Sequence, residues 1–342
     1  MFAGFWLLPL VFFISCLTTW LLRCYALRRG LIDVPNVRSS HVVPTPRGGG
    51  VAIVVSMLVA LLAVAWLGLI PWSSTWGLCG AGFGVAVLGF LDDHGHIPAR
   101  WRLMGHFFAA VWVLYWLGGL PPLEVFGRLV ELGWWGHMLA VIWLVWHLNL
   151  YNFMDGIDGI ASVEALAVCL AAAVIYALLG FSGDALVPVL LAAGVAGFLV
   201  WNFPPARIFM GDAGSGFLGI AIGTLSIQAA WLAPRLLWCW LILLGVFVVD
   251  ATWTLTRRLL RGVKVYEAHR SHAYQNASRR LGAHLPVTLG VLAVNIFWLF
   301  PIALLVGLEW LDGAMGLMMA YAPLLWSAVK LKAGHPEFEG QS

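Results

Sequence analysis

The stretch Trp134-Trp-Gly-His-Met-Leu-Ala-Val-Ile-Trp-Leu-Val-Trp-His-Leu-Asn149-Leu-Tyr-Asn152-Phe-Met-Asp155-Gly-Ile-Asp158-Gly159 changes character halfway along. Its first part is apolar and carries no Asp, Glu, Lys or Arg. A helix of about 20 such residues crosses the roughly 30 Å hydrocarbon core of a bilayer. Its second part turns to amides and carboxylates within a few residues. A membrane span that ends in a cluster of oxygen ligands is the pattern that decides the fold.

Working outward, the same kind of apolar run recurs along the chain. Candidate spans lie near 4–22, 49–70, 76–91, 103–120, 134–150, 160–180, 184–201, 215–232, 236–256, 286–308 and 314–331. Composition agrees: 62% of the 342 residues are hydrophobic and 10% are charged, where a soluble domain carries about 25% charged. Mean hydropathy is +0.91. A soluble enzyme, a disordered chain and a secreted disulfide scaffold are excluded. The expected fold is an all-α polytopic integral membrane protein with about 11 transmembrane helices, forming one domain over 1–342. The run from Phe2 to Leu22 lacks a basic leading region and a small-residue cleavage site, so it reads as the first span.

An odd number of spans puts the termini on opposite sides, and Lys and Arg in short loops choose the side. With the N-terminus outside, every Lys and Arg except Arg128 and Arg235 falls in an inside loop. The expected orientation is therefore a periplasmic N-terminus and a cytoplasmic C-terminus. The net charge of +3 gives no reason to expect a nucleic acid partner. The five cysteines lie in apolar runs or at their edges without metal spacing, and read as packing residues.

The polar clusters share the inside face. The first inside loop runs from Asp33 through Arg38, His41 and Arg47 to Gly48-Gly-Gly50. Asp92-Asp93 follows the third span. Asn149, Asn152, Asp155 and Asp158 follow the fifth. Gly211-Asp212-Ala-Gly214-Ser215-Gly216 opens the eighth. Asp250 lies deeper in the ninth span, and its loop carries His269, Arg270 and His272. Carboxylates crowded together need a cation to stay ionised. All-oxygen ligands point to Mg²⁺, with Mn²⁺ as the alternative, rather than zinc. Mg²⁺ held by few carboxylates is usually completed by substrate phosphates. Two glycine-rich helix starts, at 48–50 and 211–216, offer backbone N–H groups for an anion, and arginines stand beside them.

Blander readings apply elsewhere. His94, His96, His106, His137, His147 and His284 read as packing, interfacial or solvated residues. Arg257, Arg258 and Arg261 read as inside anchors. A transporter would carry charges near the bilayer midplane and often two related halves, and neither is visible. An intramembrane aspartyl protease would need a Gly-x-Gly-Asp setting, and Phe209-Met-Gly-Asp212 does not supply one.

These residues resemble the polyprenyl-phosphate N-acetylhexosamine-1-phosphate transferases, the bacterial family that includes the MraY branch. The likeness runs through Asp33-x-Pro35-Asn36-x-Arg38-x-x-His41-x-x-Pro44-Thr-Pro46-Arg47-Gly-Gly, Asp92-Asp93, Asn149-x-x-Asn152-x-x-Asp155-Gly-Ile-Asp158-Gly and Gly211-Asp212-x-Gly214-Ser215. It departs in the last loop, where the family's His-x-His-His run is His272-Ala-Tyr274-Gln275. That departure is similar to the Pseudomonas-type O-antigen-initiating branch.

The resemblance implies transfer of N-acetylhexosamine 1-phosphate from UDP-N-acetylfucosamine or UDP-N-acetylglucosamine to undecaprenyl phosphate, at the bacterial inner membrane. It implies a magnesium site at Asp212 with Asp92 contributing, and catalytic roles for Asp92, Asp93, Asp155 and Asp158. It implies substrate contacts from Arg38, His41, Arg47, Asn149, Asn152, Gly214, Ser215, Arg270 and His272. The expected partners are the lipid, the UDP-sugar and the surrounding membrane, with a homodimer left open.

Overall fold

A computed structural model describes residues 4–35, 43–95, 97–263 and 269–335. Every expected apolar run falls on a helix. These are α1 (Leu7–Arg29), α2 (Val51–Trp66), α3 (Trp72–His94), α4 (Ala99–Leu117), α5 (Gly133–Met154), α6 (Ile160–Leu178), α7 (Leu186–Asn202) and α8 (Asp212–Leu232). The ninth run is split into α9 (Arg235–Leu243) and α10 (Gly245–Leu260), with a 70° bend at Leu244. The last two runs hold α12 (Leu285–Val294), a π turn at Asn295–Leu299, α13 (Phe300–Gly307) and α14 (Gly313–Lys330).

Among the described residues, five helical stretches are long and apolar enough to cross a membrane: α1, α3, α6, α8 and the continuous Leu285–Gly307. The bent α9–α10 pair makes a sixth if it counts as one span, and α2 and α7 are shorter apolar helices. Large apolar side chains such as Trp66, Phe108, Tyr115 and Phe297 stand more than 70% exposed. Such surfaces need lipid around them. The chain is a polytopic helical membrane protein.

Two strand pairs depart from the all-helical expectation, and one short helix lies outside the expected spans. Ile32–Asp33 (β1) pairs antiparallel with Thr45–Pro46 (β2). Leu123–Val125 (β3) pairs with Arg128–Val130 (β4) in a tight hairpin, where the apolar sequence from Pro121 reads as an interfacial stretch. The two turn residues, Phe126 and Gly127, both have positive φ, which suits a two-residue hairpin loop. A short helix, α11 (Ala273–Leu281), follows His272 in what reads as loop sequence.

The core gathers around α8, whose apolar window is 83% buried. Small residues let its neighbours close in. A Cβ on Gly219 would lie 2.7 Å from the Leu148 Cα of α5, and a Cβ on Gly50 would lie 2.5 Å from the Gly214 Cα of α8. Close backbone approach of this kind is how helices gain dispersion energy where lipid removes the hydrophobic drive. The packing brings the N-terminus of α8 together with the ends of α3, α5 and α7.

Candidate active site

Four loops and helix ends meet at a cavity of about 370 Å³. Its acidic lining is Asp33, Asp93, Asp155, Asp158 and Asp212, joined by Arg47, Asn152, Ser215, Gln275 and His284. The residues come from well-separated parts of the sequence.

Asp93 is the hinge of the arrangement. Its Oδ1 pairs with Arg47 at 3.0 Å, and its Oδ2 accepts the Asp212 backbone N–H at 3.1 Å. The carboxylate caps the N-terminus of α8, whose first N–H groups have no partner within the helix. Arg47 also donates to the Asp93 carbonyl at 2.9 Å. The anion at this helix start is therefore the protein's own side chain, where the glycine-rich sequence reads as a seat for an external phosphate. The other glycine run is occupied too. Gly49 and Gly50 donate to the Phe209 and Met210 carbonyls, both at 2.9 Å.

The Asp212 carboxylate faces the Asn152 side chain and stands 3.4 Å from Arg102. Asp158 is fixed on both oxygens. Oδ2 accepts the Ala206 N–H at 2.9 Å, and Oδ1 meets His284 Nδ1 at 3.1 Å. Asn202 ties the two loops together, accepting from Gly159 and donating to the Ile208 carbonyl. Asp155 faces the remaining space. Burial, then the nearby Asp212, Asp158 and Asp93 carboxylates, push its carboxyl well above the ordinary carboxylate range. Crowded acids of this kind, with Arg47 as the arginine in the cavity lining, favour a cation among them.

Comparison with known proteins follows the same lines. A family model described as glycosyl transferase family 4 matches residues 75–230. A probable undecaprenyl-phosphate N-acetylglucosaminyl 1-phosphate transferase of Bacillus subtilis is 31% identical over 276 residues, covering 77% of this chain and 75% of that protein. This chain belongs to glycosyl transferase family 4. Within the family, a phospho-N-acetylmuramoyl-pentapeptide-transferase of Moorella thermoacetica is 37% identical over 201 residues, 54% of this chain and 61% of that protein. A decaprenyl-phosphate N-acetylglucosaminephosphotransferase of Mycolicibacterium smegmatis is 31% identical over 236 residues, 62% of this chain and 56% of that protein.

The family motifs do not all reach the cavity. Arg47, Asp93, Asn152, Asp155, Asp158, Asp212 and Ser215 line it. Asp92 stands behind Asp212. Its Oδ2 pairs with Arg102 and its Oδ1 accepts the Ile97 N–H at 2.8 Å, so it is placed to hold Arg102 rather than to ligate a metal in the cavity. Asn149 lies one turn deeper and donates to the Val145 carbonyl, with His106 at 3.3 Å. Gly214 packs on Gly50. His272 is 1% exposed and bonded to Asp250, and Arg270 is not in the cavity lining. Arg38 and His41 lie outside the described residues.

Asp33, Asn202, Gln275 and His284 line the cavity without being among the site residues expected from sequence. Asp33 carries a signal, since it opens the first inside motif. His284 carries none, because nothing in its neighbourhood announces the pairing with Asp158.

Among the described residues, no three His, Cys, Asp or Glu side chains form a ready metal cage. The donor set still fits Mg²⁺, which needs one or two carboxylates and takes its other ligands from water and phosphate. Asp212 and Asp155, with the Asn152 amide beside them, supply hard oxygens in one cavity. A second cavity of about 530 Å³ adjoins the first, sharing Asp158, Phe209, Gln275 and His284. Its lining is more apolar, with Pro204, Pro205 and Leu285.

Proposed function

We propose that this protein transfers N-acetylhexosamine 1-phosphate from a UDP-sugar to undecaprenyl phosphate in the bacterial inner membrane. The observation that carries the reading is the convergence of Asp93, Asp155, Asp158 and Asp212 on one cavity at the ends of membrane helices. The relatives' names supply the substrate class, an undecaprenyl-phosphate N-acetylglucosaminyl 1-phosphate transferase among them.

An oxygen of the lipid phosphate attacks the sugar-bearing phosphorus of the donor. A new P–O bond forms, the bond from that phosphorus to the bridging oxygen breaks, and UMP leaves with the electron pair. Transfer of this kind depends on positioning and on neutralising charge. Asp212 and Asp155 would hold Mg²⁺, which when bound would neutralise charge on the diphosphate.

The chain's own groups do the rest. Asn152 orients the Asp212 carboxylate. Asp93 and Arg47 fix the start of α8 and so the place of Asp212. Asp158, held by His284 and the Ala206 N–H, shapes the passage between the two cavities. The diphosphate belongs in the carboxylate cavity, and the rest of the donor extends into the adjoining, less polar one. The Tyr274-Gln275 pair supports UDP-N-acetylfucosamine or UDP-N-acetylglucosamine as the donor, and a product at the start of O-antigen or a related envelope glycan.

The test is a transfer assay on membranes carrying the protein, with undecaprenyl phosphate, Mg²⁺ and each labelled donor in parallel. Label should enter the lipid fraction with release of UMP. Chelation of the metal and Asp212→Asn should each abolish it. Labelled lipid that survives both would overturn the assignment of Asp212.

A further inference from the structure

Asp250, Tyr274 and Gly156 form a connection that the transfer chemistry above does not use. Tyr274 is 4% exposed. Its hydroxyl donates to the Phe153 carbonyl at 2.9 Å and faces the Gly156 backbone N–H. Phe153 lies in the last turn of α5, where carbonyls have no partner within the helix. The tyrosine therefore caps α5 and grips the peptides on both sides of Asp155. Only a glycine permits this approach, because a Cβ at 156 would lie 2.1 Å from the Tyr274 oxygen.

Tyr274 is itself held from α10. Asp250 Oδ1 accepts the Ala273 N–H at 2.9 Å and meets His272 Nδ1 at 3.3 Å, while Oδ2 accepts the Tyr274 N–H at 3.0 Å. Thr254 donates to the same carboxylate at 3.0 Å. Asp250 thus serves as the N-terminal cap of α11 from another helix, beside the local capping box made by His272 and Gln275. Two caps in series run from α10 through α11 to the end of α5.

We propose that Tyr274, anchored by Asp250, is a positioning residue that sets the Asp155 loop against Asp212 and thereby tunes the cavity's hold on a divalent cation. The metal part of this inference rests on the function proposed above, and the brace itself does not. Tyr274→Phe keeps the ring, which lies 5.7 Å from His272, and removes only the hydroxyl. Asp250→Asn keeps the shape but turns an amide NH₂ toward one of the N–H groups it caps, so donor meets donor.

The experiment uses the full-length protein in detergent, with two readouts. Hydrogen exchange is followed in peptides covering 150–160, and Mn²⁺ binding is followed by electron paramagnetic resonance. Tyr274→Phe should speed exchange in that segment and raise the Mn²⁺ half-saturation about fivefold, the worth of one net hydrogen bond. Asp250→Asn should do more of both. Unchanged exchange in Tyr274→Phe would overturn the brace. Faster exchange with unchanged Mn²⁺ affinity would overturn its bearing on the carboxylates. Should the parent protein neither bind Mn²⁺ nor label lipid with any donor, the proposed function fails, and the exchange data still decide the brace.

Discussion

One carboxylate, Asp93, has two partners, the Arg47 guanidinium and the Asp212 N–H, and lines the cavity. An amide in its place keeps the size and loses an acceptor. Whichever way that amide turned, its NH₂ would face either Arg47 or the Asp212 N–H. A buried donor left without an acceptor costs about 1–3 kcal/mol. Asp93→Asn is therefore expected to lower the thermal midpoint of the purified protein and cut lipid labelling by more than about tenfold, since Asp212 loses its support. A variant with full activity and unchanged melting would show that the pairing with Arg47 is dispensable. At this scale the clustering of carboxylates at helix ends is legible in the sequence. Carboxylates at the ends of apolar runs are costly unless used, and Asp155, Asp158 and Asp212 do face the cavity. Direction was not legible. Asp92 and Asp93 are neighbours on α3 whose side chains diverge, one to Arg102 and one to Arg47. Spacing along a chain does not say which neighbour a helix end will meet, and the same ignorance hides His284 and Asn202.

At the scale of elements, hydropathy locates helices but not their irregularities. The run 236–256 is uninterrupted apolar sequence as far as Asp250, yet it breaks at Leu244, and 286–308 contains a π turn at Asn295. The physical reason lies in a third helix. Glu164 of α6 is fully buried and accepts from Asn295 Nδ2 at 2.6 Å, and the Phe247 N–H near the start of α10 faces the same carboxyl. Both irregular segments thus present polar groups to one buried carboxyl, a tertiary match that no local pattern announces. A π turn marks such a specialised place in a helix. Glycine is ambiguous in sequence for a related reason. Gly49 and Gly50 look like a phosphate cradle in sequence, but their N–H groups are spent on carbonyls, and Gly50 is small because α8 touches it. The Glu164–Asn295 pair makes a prediction through double substitution. Asn295→Leu alone strands a buried carboxyl, whereas Asn295→Leu with Glu164→Leu removes both partners. Thermal midpoints in detergent should fall further for the single variant than for the double, because an unpaired polar group costs more than an absent pair. Equal losses would mean that the pair contributes packing only.

For the whole molecule, the proposed function requires the cavity to open on the face where a nucleotide-sugar is available, and charge placement argues which face that is. The carboxylate cavity gathers the C-terminal ends of α3 and α5 and the N-terminal start of α8. Arg23, Arg28, Arg29, Arg47, Arg100, Arg102 and Arg207 belong to this same end of the bundle by their positions at helix ends and in the loops between them. Arg235, by contrast, follows the opposite end of α8 and pairs with Glu309 at 2.7 Å. Arg128 lies in the β3–β4 hairpin before α5, at the end of that helix remote from Asp155. Cationic loops are retained on the cytoplasmic side during insertion, so the arginine-rich end, and the cavity with it, is expected to face the cytoplasm. Reporter fusions check this directly. Green fluorescent protein fused after Ser342 should fluoresce, and alkaline phosphatase fused there should be inactive. Alkaline phosphatase inserted at Gly127, in the hairpin turn, should be active. An active phosphatase at the C-terminus with an inactive one at Gly127 would invert the bundle and place the carboxylate cavity on the wrong side for a cytoplasmic donor.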